Sequence, residues 1–218
     1  VRPHMRAGLV EDLHNKILDG VADTLASWPE PTFWTTKYVL GSMHKCEKNY
    51  MHSKQSGTGG KTFNRYTVIG NCAHKAIQVA HTHPGYDTGT YIKAGLASCR
   101  EEEGFNAWWD NLNLAEQSDI LTEANSRYLN FVDGFPPLQD MWIPRFEEPM
   151  QARVGKLVLS GRADLTLGRP KGDGRMSMLM IDFKSGGLRE EYDDEAGLYA
   201  LIATLRYKIA PWRSTILS

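Results

Sequence analysis

The sequence predicts a mixed α/β (α+β) chain, a small mixed β-sheet flanked by helices with a helical N-terminal part. Three observations predict it. Helical periodicity dominates the chain up to about residue 135. Two apolar runs, Leu157 to Leu167 and Met176 to Phe183, are separated by the polar turn GRPKGDG at Gly168 to Gly174. A further helix and strand-like residues then follow, an order of elements that suits a sheet covered by helices. With 218 residues, 41% of them apolar, the chain is long enough for one real core. We therefore expect a single domain over 1–218, helical over about 5–135, with the sheet and its helix over about 140–218.

The helical elements are read from their apolar stripes. Val10, Leu13, Ile17, Val21, Leu25 and Trp28 recur at three- and four-residue intervals from Met5 to Trp28, and Pro29 and Pro31 stop that helix. A short helix is expected around Ser42 to Met51, then a glycine- and serine-rich loop from His52 to Lys61. Tyr66 to Thr82 carries Ile69, Cys72, Ala73, Ala76, Ile77 and Ala80 on one face, and His83-Pro84-Gly85 ends it. A longer tract from Gly89 to Phe131 is broken near Gly104 and stops at Asp133-Gly134.

The strands are read from composition and turns. Trp142 to Phe146 is a candidate edge strand because it contains Pro144. Leu157 to Leu167 has the apolar and β-branched content of a strand, and Met176 to Phe183 reads as a strand covered on both faces. Tyr192 to Leu205 is the last helix, with an acidic first turn that suits its dipole. Tyr207 to Ile209 and Ser214 to Leu217, split by Pro211, look like the start of further strands, so a longer parent protein is expected. Val1 to Met5 reads as residual expression sequence, with Met5 the expected start and no basic-then-apolar signal peptide.

Composition narrows the function classes. The three cysteines, 46, 72 and 99, are odd in number and widely spaced, which favours a reducing compartment over a disulfide framework. No apolar run approaches the roughly 18 residues of a membrane span. The formal net charge of -1 hides segregation. From Lys37 to Lys75 seven basic residues face one acid, from Arg100 to Glu148 three face eleven, and from Arg153 to Arg189 eight face three. The first and third segments either meet a polyanion together or form ordinary solvated surface.

Two aspartates carry the chemistry. Asp164 lies on one predicted strand and Asp182 ends the other, followed by Phe183 and Lys184. Carboxylates on adjacent strands converge on a hard divalent cation, for which oxygen ligands are preferred. A lysine two residues on, on the same side of a strand, suits a centre where metal and ammonium jointly stabilise a phosphoryl transition state. The alternative is a strand-end ion pair of Asp182 with Lys184 and a turn-capping Asp164.

Glu147 and Glu148 precede the first central strand, and only one can share the pocket face; Glu148 is preferred. His74 is either a third ligand or a hydrogen-bonded core histidine. Glu195 and Tyr199 share a helix face, placed to orient Lys184, a water or a phosphate, or else form a surface pair. No Cys-x-x-Cys or His-Glu-x-x-His zinc spacing, Walker loop or Gly-x-Ser-x-Gly elbow is present.

Taken in order, these pieces resemble a PD-(D/E)xK nuclease of the RecB-like branch, which includes the nuclease domains of recombination helicases, CRISPR-adaptation exonucleases and phage and mitochondrial exonucleases. The resemblance runs from Cys46 to Pro211. Cys46-Glu47-Lys48-Asn49-Tyr50 is similar to the Cys-Pro-x-x-aromatic helix and Gly70 to His74 to the Gly-x-x-x-His helix. Gly161 to Asp164 resembles the Gly-x-x-Asp strand, Asp182 to Gly186 the Asp-Tyr-Lys-Thr-Gly strand, and Glu195 with Tyr199 the Gln-x-x-x-Tyr helix. Glu195 stands in place of the usual glutamine and Glu47 in place of a frequent proline.

The resemblance implies a restriction-endonuclease-like core and a Mg²⁺- or Mn²⁺-dependent DNase, an exonuclease on single strands or free ends leaving 5′-phosphates. It implies His74, Glu148, Asp164 and Asp182 as metal ligands, and Lys184, Glu195 and Tyr199 as further catalytic-site residues. Lys45, Lys48, Lys54, Arg65 and Lys75 would meet phosphates, and Tyr50, Tyr66, Trp108 and Trp109 are candidates for stacking on bases, with core packing the alternative.

The compartment implied is the cytoplasm or another reducing, DNA-containing one, with DNA as partner, a larger recombination or replication complex in view, and no membrane. Some members carry an iron–sulfur cluster; Cys46 matches its early cysteine, but nothing after Cys99 supplies the late three, so no cluster is expected. The competing expectations are a DNA-binding module that cuts little and an endonuclease.

Overall fold

The computed structural model describes residues 6–37, 39–40, 63–170, 177–184 and 191–217. They form a mixed α/β fold with a small sheet flanked by helices. The chain divides into two compact units, a sheet unit and a helical unit.

The sheet unit contains helix α1 (Leu9–Ser27), strands β1 (Phe33–Thr35), β2 (Arg145–Val154), β3 (Leu157–Leu167), β4 (Leu179–Phe183) and β5 (Arg213–Leu217), and the long helix α6 (Glu191–Tyr207). The N-terminal helix expected on the helical side of the chain packs in this unit instead. Its stripe of Val10, Leu13, Ile17 and Val21 lies against a core built from Met150, Ala152 and Val154 of β2, Leu157, Leu159 and Ala163 of β3, and Tyr199, Ile202 and Ala203 of α6.

β3 is the spine of the sheet. β2 pairs antiparallel with it from Arg145↔Thr166 to Val154↔Leu157. The hairpin closes at Gly155, whose φ of 59° is the left-handed conformation a tight turn needs. The other edge of β3 is shared: β1 runs parallel against residues 157–159 and β4 antiparallel against residues 165–167, leaving residues 160–164 between them.

β2 differs from the expected short strand. Asp140–Trp142 is a 3-10 turn, and the strand starts only after Pro144. It then extends to Val154, because Met150, Ala152 and Val154 alternate inward against exposed Gln151 and Arg153. β4 starts three residues later than predicted, and Tyr207 to Ile209 is the helix end and a bend rather than strand. The helix expected around Ser42 to Met51 and the loop expected from His52 to Lys61 lie outside the described residues.

The helical unit contains α2 (Arg65–Thr82), α3 (Thr88–Arg100), α4 (Phe105–Asp110) and α5 (Leu114–Gly134), together with Phe183 and Lys184. Each long helix begins on a side-chain cap: Asn64 for α2, Asp87 for α3, and for α5 a capping box of Asn113 with Glu116. Gly104, at φ 80°, makes the predicted break. Val68, Ile69, Cys72 and Ala76 of α2 pack among Tyr91, Ile92 and Cys99 of α3 and Ile120, Ala124 and Tyr128 of α5.

Candidate metal centre

The register of the hairpin brings the first two acids together. The pairs Phe146↔Leu165 and Glu148↔Ala163 place Glu147 opposite Asp164. Glu147 departs from strand geometry there, with φ at 51°. A non-glycine residue in the left-handed region costs on the order of 1–3 kcal/mol and is held only where the surroundings over-determine it. Pro149 follows two residues on, and Arg162 reaches the Glu147 carboxylate at 3.6 Å.

These two acids, each partly buried, bring carboxylate oxygens within 4.8 Å of one another, donors able to coordinate a divalent metal ion. In the helical unit the His74 ring meets the Phe183 ring edge-on at 5.4 Å, the packing expected of a core histidine.

Glu148, the glutamate preferred from sequence, is placed otherwise. Arg145 donates to its Oε1 at 2.7 Å and the Thr166 hydroxyl donates to its Oε2 at 3.1 Å. Arg145 also donates to the Gly168 carbonyl at 3.0 Å, which ties this group to the end of β3. The acid that lies with Asp164 is Glu147. Alternation by itself allows only one of the two on that face, and the strand register, which puts Glu147 opposite Asp164, decides which.

Asp182 sits one position past the Leu165↔Ile181 pair, at the level of Asp164 on the neighbouring strand. It is buried, with 2% of its surface exposed, and such a carboxylate persists in charged form only with partners. Tyr199 donates its hydroxyl to Asp182 Oδ1 at 3.4 Å, and the Lys37 ammonium lies 3.8 Å from the same oxygen. Lys37 also reaches Glu195 Oε2 at 3.4 Å and stands over the Tyr199 ring, 5.7 Å from its centroid. Asp182 and the Glu195–Tyr199 pair, singled out apart from each other in the sequence, thus meet through Lys37 and the Tyr199 hydroxyl.

Gly161 explains why the ring fits. A Cβ there would lie 2.8 Å from Tyr199 Cε1 and 3.2 Å from Ile202 Cδ1, so only glycine lets α6 lay that ring on β3. Lys37 itself was missed. It stood out only as one basic residue among seven, and no local pattern marks it for Asp182, which lies far along the chain. Lys184 is half-buried immediately after β4.

The residues expected to meet phosphate are dispersed in their roles. Arg65 is bound to Glu123 at 3.0 Å, and Glu123 holds Arg127 as well at 3.3 Å. Both arginines keep the Glu123 carboxyl below its ordinary range, the Arg65 hydrogen bond contributing most. Lys75 donates to Gln78 at 3.0 Å. Lys45, Lys48, Lys54 and Tyr50 lie outside the described residues. Trp109 is buried and stacks on Phe105, a core role; Tyr66 is exposed. Cys72 and Cys99 are buried thiols, and the hydrogen bond between them, then burial, push the Cys72 thiol far up.

Neither the protein-family models nor the curated proteins contain a match to this chain. Among the described residues, no helix is long and apolar enough to cross a membrane. What the sheet unit holds is a pair of facing carboxylates, Glu147 and Asp164, suited to a divalent ion, and on the next strand a buried acid held by a lysine and a tyrosine. That is a plausible active site for a metal-dependent enzyme.

Proposed function

We propose that the chain is a metal-dependent phosphodiesterase of the PD-(D/E)xK kind, a DNase acting on single-stranded DNA or DNA ends, with a restriction-endonuclease-like core. The observation that carries this reading is the convergence of the Glu147 and Asp164 carboxylates within 4.8 Å across β2 and β3. The supporting feature is the position of Asp182 beside Asp164, with Lys184 two residues on. Mg²⁺ or Mn²⁺ is the ion the oxygen-rich donor set favours.

When bound, such an ion polarises a phosphoryl oxygen and makes an attacking water more acidic. The rest falls to the chain. Glu147 and Asp164 would hold the cation, with His74 the further ligand that the resemblance implies. Lys184 supplies a point positive charge for the developing negative charge and positions the water. Tyr199 and Lys37 keep the Asp182 carboxylate in one orientation.

End-labelled DNA with and without Mg²⁺ tests the reading. The parent chain should degrade it and EDTA should stop the reaction. Asp164→Ala, Asp182→Ala and Lys184→Ala should each lose several kcal/mol of transition-state stabilisation, a fall of ~10³-fold or more. Undiminished cleavage in any of the three removes the assignment. Closed circular DNA left intact identifies an exonuclease; a cut circle identifies an endonuclease.

A second reading has one observation in its favour: Glu147 faces Arg162, and Asp182 with Glu195 faces Lys37, so basic groups already stand beside these acids. A DNA-binding module of this fold would bind DNA equally well in EDTA and turn none over.

A further inference from the structure

In the helical unit two arginines meet on one acid at the surface. Arg65, the first residue of α2, donates to Glu123 Oε2 at 3.0 Å, and Arg127 of α5 donates to Glu123 Oε1 at 3.3 Å. One carboxylate thus holds two guanidinium groups, each on its own oxygen, and two positive charges stand against one negative. The Arg65 and Arg127 side chains are 42% and 40% exposed. A guanidinium carries five N–H donors, so each fork keeps donors for a second anion after serving Glu123. Helix stability does not explain Arg65, because the first turn of a helix favours acids and α2 has none there. Tyr66, the next residue along α2, is 71% exposed.

We propose that Arg65, Arg127 and Tyr66 form a binding site for single-stranded nucleic acid: the two guanidinium groups, held together by Glu123, take backbone phosphate, and the tyrosine ring stacks on a base. The choice of polyanion rests on the nuclease reading above; the site itself lies wholly within the helical unit. Arginine suits the task because its planar fork matches phosphate geometry. A shared carboxylate also reduces the freedom two long side chains lose when they engage one ligand. Both arginines hold the Glu123 carboxyl below its ordinary range, so it stays charged at neutral pH and keeps its grip on them. Glu123 is therefore a positioning residue. Every base has a face to stack on, so binding here is indifferent to sequence.

Fluorescence anisotropy of a labelled oligothymidylate with the full chain in EDTA, across a range of salt, tests this. The parent chain should bind, and a parent chain that does not overturns the proposal. Arg127→Gln should weaken binding about tenfold at low salt and make the slope of log affinity against log salt shallower by about 0.7, one phosphate contact on a single strand. Tyr66→Ala should weaken it about fivefold or more and leave that slope unchanged. Arg100→Gln, which alters an arginine of the same unit bound to Asn106 instead, should match the parent. Where a thermal melt shows Arg127→Gln unfolded, Arg127→Lys should keep the slope and still lose affinity, because an ammonium lacks the fork. Equal losses in Arg100→Gln and Arg127→Gln overturn the proposal. So does Tyr66→Ala binding like the parent while inorganic polyphosphate competes fully, which identifies a simple polyanion patch. A parent chain that cuts DNA while Arg127→Gln binds normally overturns the site and leaves the nuclease reading standing. A chain that binds through these residues and never cuts does the reverse.

Discussion

At the scale of single residues, Glu147 shows how backbone conformation selects a side chain. Two adjacent glutamates are available, and the left-handed φ of 51° at Glu147 accompanies the one that joins Asp164, while Glu148 is held by Arg145 and Thr166. These different tasks separate their mutants. Glu147→Gln should weaken Mn²⁺ binding by about tenfold or more, ~1.4 kcal/mol, with little change in melting temperature. Glu147→Gly should lose the same affinity yet gain about 1 kcal/mol of stability, because glycine adopts that φ without strain. Glu148→Gln should do the reverse, losing about 1–3 kcal/mol of stability as a charged hydrogen-bond network is broken, with metal affinity close to the parent's. Calorimetric metal titration beside thermal melts checks all three, and a larger affinity loss in Glu148→Gln than in Glu147→Gln would refute the assignment.

At the scale of elements, two close approaches set the packing. Gly161 lets the Tyr199 ring of α6 rest on β3, so a glycine of one motif and a tyrosine of another are two halves of one contact. In the helical unit Gly95 does the same for α3 against α2: a Cβ there would stand 2.6 Å from the Cys72 carbonyl oxygen and 2.7 Å from its Cα. Both obstacles are backbone, so no rotamer change relieves them, and the helices must move apart. Gly95→Ala should therefore cost about 1–3 kcal/mol despite the better helix propensity of alanine. Gly20→Ala in α1 is the counterpart, since a Cβ there meets nothing within 4 Å. It should stabilise by about 0.5–1 kcal/mol. Chemical denaturation of the two variants compares them directly, and equal shifts in one direction would show that the close approach is not felt.

At the scale of the whole molecule, two carboxylates in the helical unit contribute to the response to acid. Asp87 is held low by its hydrogen bonds from the Thr90 side chain and backbone, and Glu123 by Arg65 and then Arg127. A carboxyl lowered on folding contributes stability that is fully present above its unfolded value and is lost as pH falls through the folded one. Stability should hold at neutral pH and decline below the ordinary carboxylate range, about pH 4. Arg65→Gln should make that decline shallower, because Glu123 then titrates closer to its unfolded value. Thermal melts followed by circular dichroism across that range provide the check, and an unchanged acid slope in Arg65→Gln would exclude Glu123 as a contributor.

Local pattern by itself determined most of the helices, the two central strands, the closing helix and the identity of Asp164, Asp182, His74, Glu195 and Tyr199 as residues to examine. It did so because helix periodicity, caps, turns and apolar runs act over a few residues, and because each of those side chains sits in a short recognisable string. The tertiary structure decided the rest. The full length of β2 was hidden by Pro149 and its charged first half, and three-residue β1 is too short to carry a period. The exchange of Glu148 for Glu147 depends on the register of β2 against β3, which local sequence does not announce. Lys37 meets Asp182 and Glu195 only after a parallel pairing of β1 with β3 brings distant segments together, and a contact of that separation leaves no trace in local spacing.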